Sequence, residues 1–226
     1  MELTWDNNGA VKLTQRDSIE KLITEHKIPQ VPNRSLPLNP EEYTAPDPHN
    51  DNLLDPQEHT KYQSLIGSLL YMNRMTRPDI SMQVNLLGRR TSNPTKENMR
   101  VALQLGQYLA STKIEGLPIT TSVKESPEVT INIYADALYG GENSRSQSGS
   151  PVMLYGNPIM WSSRRQDVVS KSITEAEYIA CSKAAKDAQW IRQLLLEVGK
   201  TQETVPTLYI DNEAVLYLTK TQTFHR

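Results

Sequence analysis

The chain has 226 residues and a formal net charge of −2, because 26 acidic residues slightly outnumber 24 lysine and arginine residues. This balance excludes a protein that holds nucleic acid by overall charge, so such a contact would need a local basic patch. A content of 37% hydrophobic and 22% charged residues excludes wholesale disorder. No apolar run reaches the roughly 20 residues of a membrane-spanning helix. The single cysteine, Cys181, excludes a disulfide framework and a cysteine-rich metal site, and it indicates a reducing, intracellular environment.

The first 57 residues predict a hairpin, a short helix and a connector. A turn sequence at residues 6–9 separates two β-forming segments within residues 1–14, and apolar residues at helical spacing predict a helix over residues 17–26. Seven of the 14 prolines then lie between Pro29 and Pro56, and residues 30–60 carry a net charge of −5. Because proline lacks the N–H group that helices and central strands need, we expect residues 29–57 to form an extended acidic connector.

A mainly helical region is predicted between residues 58 and 120, with helices over residues 58–73, from Pro78 to about Arg90 and over residues 95–110. Residues 61–115 contain eight basic and three acidic residues, a net charge of +5. Such a segment would suit a polyanionic partner, although solvated helix faces explain the same charge equally well. A second linker is expected from Gly116 to Pro127.

The last hundred residues combine strands and helices. A β-rich segment ends in Asp136, and a hairpin is predicted around Gly156. A long helix over residues 174–198 precedes a strand at residues 208–210 and a helix at residues 212–218. This order predicts an α/β fold with a mixed sheet and flanking helices.

Three carboxylates of this region are candidates for one site. Asp136 and Asp211 each close a strand, and the ends of parallel neighbouring strands lie side by side. Glu177 shares a helical stripe with Cys181 and small or apolar residues, so it should face the sheet, whereas Glu175 lies among polar residues and should face water. A buried carboxylate needs a partner, and a divalent ion such as Mg²⁺ is held by carboxylate oxygens.

Each of these carboxylates also has a simpler explanation. Glu177 fits a capping box with Thr174, in which it only returns to the backbone at the helix start. Asp211 could cap the following helix, and Asp136 could be a turn residue before Gly140. The spacing by itself leaves both explanations open.

Three sequence blocks resemble a known family: TRPDI at residues 76–80, TEAEY at residues 174–178 and DNEAV at residues 211–215. In this order and spacing they resemble the Pol polyproteins of copia-class LTR retrotransposons, and the resemblance extends over nearly the whole chain. It implies the end of the reverse transcriptase palm and the start of the thumb at residues 1–28, and a connector at residues 29–57. A helical thumb or connection region would follow at residues 58–120, and an RNase H-like domain at residues 128–226.

The resemblance also implies a chemistry. Asp136, Glu177 and Asp211 would hold Mg²⁺ or Mn²⁺ and catalyse endonucleolytic hydrolysis of the RNA strand in an RNA–DNA hybrid, with the 3′-oxygen as the leaving group. Such enzymes recognise the shape of the hybrid and its 2′-hydroxyl groups rather than a base sequence. The candidate nucleic-acid contacts are Arg89, Arg90, Arg100, Arg164 and Arg165.

Two features depart from the family pattern. Leu138 stands where the family often has a second aspartate. The family's fourth acid follows a phrase like FHxRTKHID, whereas this sequence ends at Phe224-His225-Arg226. The resemblance therefore implies an RNase H domain that lacks its C-terminal part and is impaired by the truncation. The paired-aspartate polymerase motif is also missing, so we expect no polymerase activity from this chain alone.

The sequence leaves three functions open: an impaired nuclease, a catalytically inactive nucleic-acid-binding remnant, and an unstable product without a biochemical role. The expected partners are an RNA–DNA hybrid or other nucleic acid and the remainder of a retrotransposon polyprotein, with no membrane. The expected location is the cytoplasm, in virus-like particles, or the nucleus.

Overall fold

The computed structural model describes residues 1–5, 11–29, 37, 52–119, 130–141, 143–199 and 205–220. The turn predicted at residues 6–9, the connector except for residue 37 and its two ends, and the chain end at residues 221–226 lie outside the described residues. Two compact units, residues 1–121 and 122–226, divide the chain, and each has its own apolar core. None of the helices in the described ranges has the length and apolar character that crossing a membrane requires.

The first unit contains a three-stranded antiparallel sheet. The strands β1 (Glu2–Trp5) and β2 (Val11–Thr14) pair as the predicted hairpin. The prediction of a linker after Gly116 was wrong for three residues, since β3 (Leu117–Ile119) pairs with β2. A Cβ atom at Gly116 would lie 2.2 Å from the Leu13 carbonyl oxygen, so glycine permits this close approach. So short a strand, with a partner a hundred residues away, leaves no local pattern to detect.

Four helices within the described residues contribute to the core of the first unit: α1 (Arg16–Glu25), α2 (Pro56–Met75), α3 (Ser81–Gly88) and α4 (Lys96–Ser111). Helix α2 begins two residues earlier than predicted, because the Asp55 carboxylate accepts the N–H groups of Gln57 and Glu58 and proline suits the first helical position. Helix α4 begins after Thr95, which forms a reciprocal capping box with Asn98.

An ion pair between the buried Arg77 and the partly exposed Asp79 joins two helical segments of the first unit. Arg77, only 2% exposed, precedes a 3₁₀ turn (Pro78–Ile80) and donates to both Asp79 carboxylate oxygens, at 3.0 and 2.7 Å. It also donates to the Thr112 carbonyl after α4, and the Tyr108 hydroxyl donates to Asp79 at 2.7 Å. Burial acts to raise the pKa of Asp79, but the hydrogen bond and charge of Arg77, helped by Tyr108, outweigh it and lower that pKa. The TRPDI block therefore has a structural role, since it links the 3₁₀ turn to the end of α4.

The second unit is a mixed sheet with helices. Its elements are β4 (Ile131–Tyr134), β5 (Asp136–Leu138), β6 (Gln147–Leu154), β7 (Asn157–Arg165), α5 (Ile173–Glu197), β8 (Thr207–Tyr209) and α6 (Glu213–Lys220). The sheet has the order β5-β6-β4-β8, and β7 pairs with β6. Among the strand pairs in the described part of this unit, only β4–β8 is parallel. The predicted α/β class with a mixed sheet is confirmed.

Strands β4 and β5 behave as one strand against β6. Ile133 pairs with Val152 and Asp136 with Gly149, so the antiparallel register is the same on both sides of the break. Continuing that register places Tyr134, the last residue before the break, opposite Pro151, which has no N–H group to donate, and Ala135 opposite Ser150. The predicted hairpin of β6 and β7 is confirmed, with positive φ angles at both Tyr155 and Gly156.

Helix α5 packs on one face of this sheet. The buried alanines Ala184 and Ala188 and the side chain of Ile191 meet Ile133 and Val152 in a common core. Small side chains on the helix let its backbone approach the strands closely, and this fixes the depth at which the first turn of α5 meets the strand ends.

We expect Asp79→Asn to lower the free energy of unfolding of the first unit by about 3 kcal/mol, because Arg77 stays buried without a charged partner. Urea unfolding followed by circular dichroism measures this loss. Glu97→Gln is the matched control, since Glu97 pairs with Arg100 at the surface, where such a pair contributes less than about 1 kcal/mol. Equal losses in the two variants would contradict the importance of Arg77 burial.

The stability of the first unit should also fall in acid. The folded pKa of Asp79 lies below its ordinary value of 3.8, so the stabilisation is complete above that value and disappears as the pH falls through the folded pKa. Unfolding of wild type and Asp79→Asn between about pH 5 and pH 2 measures the effect. The difference between the two proteins should shrink toward low pH, and a constant difference would rule out this linkage.

Candidate metal centre

Asp136 lies within the strand that β4 and β5 form, and it is exposed. The strand continues to Leu138, so Asp136 does not have the turn position that was one of its two explanations. Its neighbour Ala135 donates its N–H to the Tyr209 carbonyl at 3.0 Å, which holds this end of the strand against β8. The carboxylate is therefore presented at the edge where β4 and β8 end together.

Asp211 follows β8 at the same edge. The prediction that the two strands are parallel neighbours is confirmed, with Ile133 opposite Leu208 and Tyr134 opposite Tyr209. The helix after the strand is capped by Asn212, whose side-chain oxygen accepts the Val215 N–H at 3.1 Å. Because Asn212 supplies this cap, the Asp211 carboxylate does not have to do so.

Glu177 lies on the first turns of α5 and points inward. The predicted capping box of Thr174 and Glu177 was wrong, because the cap is Ser172, whose hydroxyl accepts the Glu175 N–H at 3.1 Å. Glu175 in turn accepts the Lys171 N–H at 2.6 Å. The register prediction is confirmed, since Glu175 is exposed and Glu177 is only 8% exposed. This shift of two residues in the cap, from Thr174 to Ser172, makes Glu175 rather than Glu177 the glutamate at the third helical position.

The three carboxylates meet. Asp136, Glu177 and Asp211 each offer an oxygen atom, and these atoms lie within 4.8 Å of one another. Within the described ranges this is the one group of three or more potential metal ligands that converges in this way. Two unit charges about 4 Å apart repel by roughly 1 kcal/mol in water and by roughly 4 kcal/mol at an effective dielectric of 20.

The electrostatics of the site favour a cation. Burial raises the pKa of Glu177, the charge of Asp136 and then that of Asp211 raise it further, and a hydrogen bond from the Ala137 backbone N–H opposes them. A divalent ion would reverse the repulsion, and an all-oxygen donor set of carboxylates suits Mg²⁺ or Mn²⁺. The residues present therefore fit such an ion.

The structure separates the five candidate arginines. Arg164 and Arg165 are exposed at the end of β7, two strands from Asp136 in the same sheet. The other three belong to the first unit, and Arg100 there pairs with Glu97. None of the five belongs to the carboxylate cluster.

Sequence reasoning missed the stacked pair of Tyr134 and Tyr209, whose ring centroids lie 4.9 Å apart. Each tyrosine comes two residues before a site aspartate, as Tyr-Ala-Asp at residues 134–136 and Tyr-Ile-Asp at residues 209–211. The repeated Tyr-x-Asp pattern was a usable signal, since parallel neighbours in register place like residues beside each other.

Three relatives of this chain are Pol polyproteins of plant transposons. The Pol polyprotein of transposon RE1 from Arabidopsis thaliana is 36% identical over 175 residues, which are 76% of this chain and 11% of that protein. That of transposon RE2 from the same plant is 34% identical over 168 residues, 74% of this chain and 11% of that protein. That of transposon TNT 1-94 from Nicotiana tabacum is 32% identical over 166 residues, 73% of this chain and 12% of that protein.

No family model matches the chain, and no solved structure matches it. The chain spans about a tenth of the length of the curated relatives named above. All three are described as retrovirus-related Pol polyproteins, and each matches about three quarters of this sequence. The chain belongs to the family of retrovirus-related Pol polyproteins of copia-type transposons.

Proposed function

We propose that the second unit is an RNase H-like domain that hydrolyses the RNA strand of RNA–DNA hybrids with the help of divalent ions. The observation that carries this proposal is the convergence of Asp136, Glu177 and Asp211 within 4.8 Å. Two parallel strand ends and the start of a helix supply these carboxylates, and none of them serves as a helix cap.

The architecture supports the same proposal. A sheet in which β4 lies between antiparallel β6 and parallel β8, with α5 packed on one face, agrees with the RNase H-like fold that the sequence blocks imply. Fold alone would not support a function. Here the carboxylates stand at the strand ends, where open α/β sheets place their sites.

Asp136, Glu177 and Asp211 would hold Mg²⁺ or Mn²⁺. When bound, the ions supply Lewis-acid stabilisation of the charge that develops during phosphodiester hydrolysis. Asp136 and Asp211 are exposed, so a phosphate of the substrate can approach them from solvent. Glu177 is buried, so it forms the inner wall of the site.

The exposed Arg164 and Arg165 would contribute positive charge for the hybrid backbone. Contacts of this kind fix the position of a nucleic acid without reading its sequence, and an A-form-like hybrid is recognised by its shape and its 2′-hydroxyl groups. The relatives are long polyproteins, so other segments of such a polyprotein are the expected protein partners, and an intracellular site of action is part of the proposal.

The alternative function, a nucleic-acid-binding remnant without catalysis, depends on the basic stretch at residues 61–115. Two of its arginines are already paired there, Arg77 with Asp79 and Arg100 with Glu97. Arg77 is also buried and out of reach of a polyanion. Less positive charge is therefore available than the sequence indicates, and we rank this function second.

We expect the chain to cleave a labelled RNA–DNA hybrid in the presence of Mg²⁺ or Mn²⁺. Asp136→Asn and Glu177→Gln should each lower the rate at least about a hundredfold, because the several kcal/mol that a bound ion contributes are lost. Denaturing gel electrophoresis of the RNA strand measures the rate.

Glu175→Gln is the control for this assay, since glutamine can also serve at this capping position and the side chain faces solvent. It should keep most of the activity. Loss of cleavage in Glu175→Gln but not in Glu177→Gln would overturn the assignment of the site. A folded wild-type chain that cleaves no hybrid would refute the nuclease proposal for this chain.

In the absence of divalent ions, the repulsion among the three carboxylates should lower the free energy of unfolding of the second unit. We expect Glu177→Gln to raise the free energy of unfolding by about 1 kcal/mol in chelator, because a buried charge and its repulsion disappear. The same variant should lose the rise in melting temperature that Mn²⁺ gives the wild type. Differential scanning fluorimetry measures both effects.

Glu197→Gln is the matched control on the same helix, since Glu197 is an exposed glutamate at the end of α5. It should change neither quantity. If the metal-free Glu177→Gln variant is less stable than the wild type, the carboxylate is satisfied within the chain and the argument for a cation fails.

A further inference from the structure

Gln166 is a buried amide at the junction between the sheet and α5. It follows β7 directly and is 3% exposed. Its side-chain nitrogen donates to the Ser148 hydroxyl at 3.0 Å and to the Ala176 carbonyl at 2.8 Å. Its side-chain oxygen accepts the Ser170 hydroxyl at 2.6 Å. Ser148, Ser170 and Ala176 are all buried, so this amide is held in one orientation.

These contacts reach Glu177 from two directions. Ala176 is the residue immediately before Glu177, so the bond to its carbonyl fixes the helix backbone that carries the carboxylate. Ser148 pairs with Ala137 across β6 and β5, and the Ala137 backbone acts to lower the pKa of the Glu177 carboxylate, so the two groups lie close together. The amide of Gln166 therefore links the helix start, through Ser148, to the strand pair beside Glu177.

The hydrogen bonds of Gln166 oppose a repulsion between charges. The carboxylates repel one another, and the repulsion pushes the first turn of α5 away from Asp136 and Asp211. The segment between β7 and α5 is only seven residues long, 166–172, and inside it the Ser170 hydroxyl donates to Gln166. Hydrogen bonds in a buried site are costly to break, because no water molecule replaces the partner that each group loses.

We propose that Gln166 is a positioning residue, which holds Glu177 within reach of Asp136 and Asp211 and so sets the affinity of the site for divalent ions. The inference rests on the proposed metal site and adds a residue to it. Groups that orient metal ligands through hydrogen bonds typically change metal affinity about 10- to 100-fold when they are removed.

The sheet contains a matched control. Gln147 is also a buried glutamine of the β6–β7 pair, at 6% exposed, and its side-chain nitrogen donates to the Ser163 hydroxyl at 2.8 Å. Its register partners are Leu138 and Arg165, whereas Gln166 bonds to α5. Replacing either glutamine with methionine keeps the length and removes the amide.

The test is Mn²⁺ binding to the full chain, measured by isothermal titration calorimetry. Gln166→Met should weaken Mn²⁺ affinity about tenfold or more. Gln147→Met should destabilise the sheet to a similar degree and leave Mn²⁺ affinity unchanged. If the two variants bind Mn²⁺ equally, Gln166 has only a structural role and the inference is overturned.

A milder variant decides the case if Gln166→Met does not fold. Ser170→Ala removes one of the three side-chain bonds of Gln166 and keeps those to Ser148 and Ala176. It should weaken Mn²⁺ binding by a smaller factor in the same direction. Unchanged binding in a folded Ser170→Ala protein would then overturn the inference.

A second readout separates this inference from the proposed function. Hydrogen exchange at the Ala137 amide reports whether Glu177 stays close to this strand, because the Ala137 backbone acts to lower the pKa of that carboxyl group. In metal-free protein this exchange should be faster in Gln166→Met than in wild type or Gln147→Met. If the wild type binds no Mn²⁺, the metal site fails, and the exchange rates alone decide whether Gln166 positions Glu177. Equal exchange in all three proteins would exclude that role.

Discussion

Repulsion among three carboxylates is the constraint on which the second unit depends. Asp136, Glu177 and Asp211 are held within 4.8 Å of one another, although burial and mutual charge raise the pKa of Glu177. The backbone imposes this closeness. Two parallel strands end together, and the small side chains of α5 bring its first turns against them. Ser172 and Asn212 cap the adjoining helices, so the carboxylates remain available to a cation.

The two units differ in whether a buried charged side chain has a counter-charge among the described residues. In the first unit the buried Arg77 finds its counter-charge in Asp79, two residues away, and Tyr108 completes the pair. That arrangement is closed within the chain and stabilises the packing of the helices. In the second unit no ion pair to a site carboxylate occurs among the described residues. A carboxylate cluster without a counter-charge is suited to an external cation, and this difference distinguishes a candidate functional site from a structural ion pair.

Local stability and function therefore oppose each other around α5. The apolar core of Ala184, Ala188 and Ile191 holds the helix down, and the buried amide of Gln166 ties its first turn to the sheet. The charges at that same turn push it away. The proposed hydrolysis of a phosphodiester would give this tension a purpose, because such a site has to hold divalent ions before the substrate arrives.

The sequence by itself determined the α/β class, the inward register of Glu177 and the position of Asp211 directly after a strand, because hydrophobic periodicity and turn residues act locally. Only the tertiary structure decided which residues cap α5 and α6, that Arg77 is buried, and that β3 pairs with β2. These outcomes depend on contacts between residues far apart in the chain or on competition between adjacent side chains. The repeated Tyr-x-Asp pattern belongs to both cases. It is visible in the sequence, but only the parallel register of β4 and β8 shows that the two tyrosines lie side by side and stack.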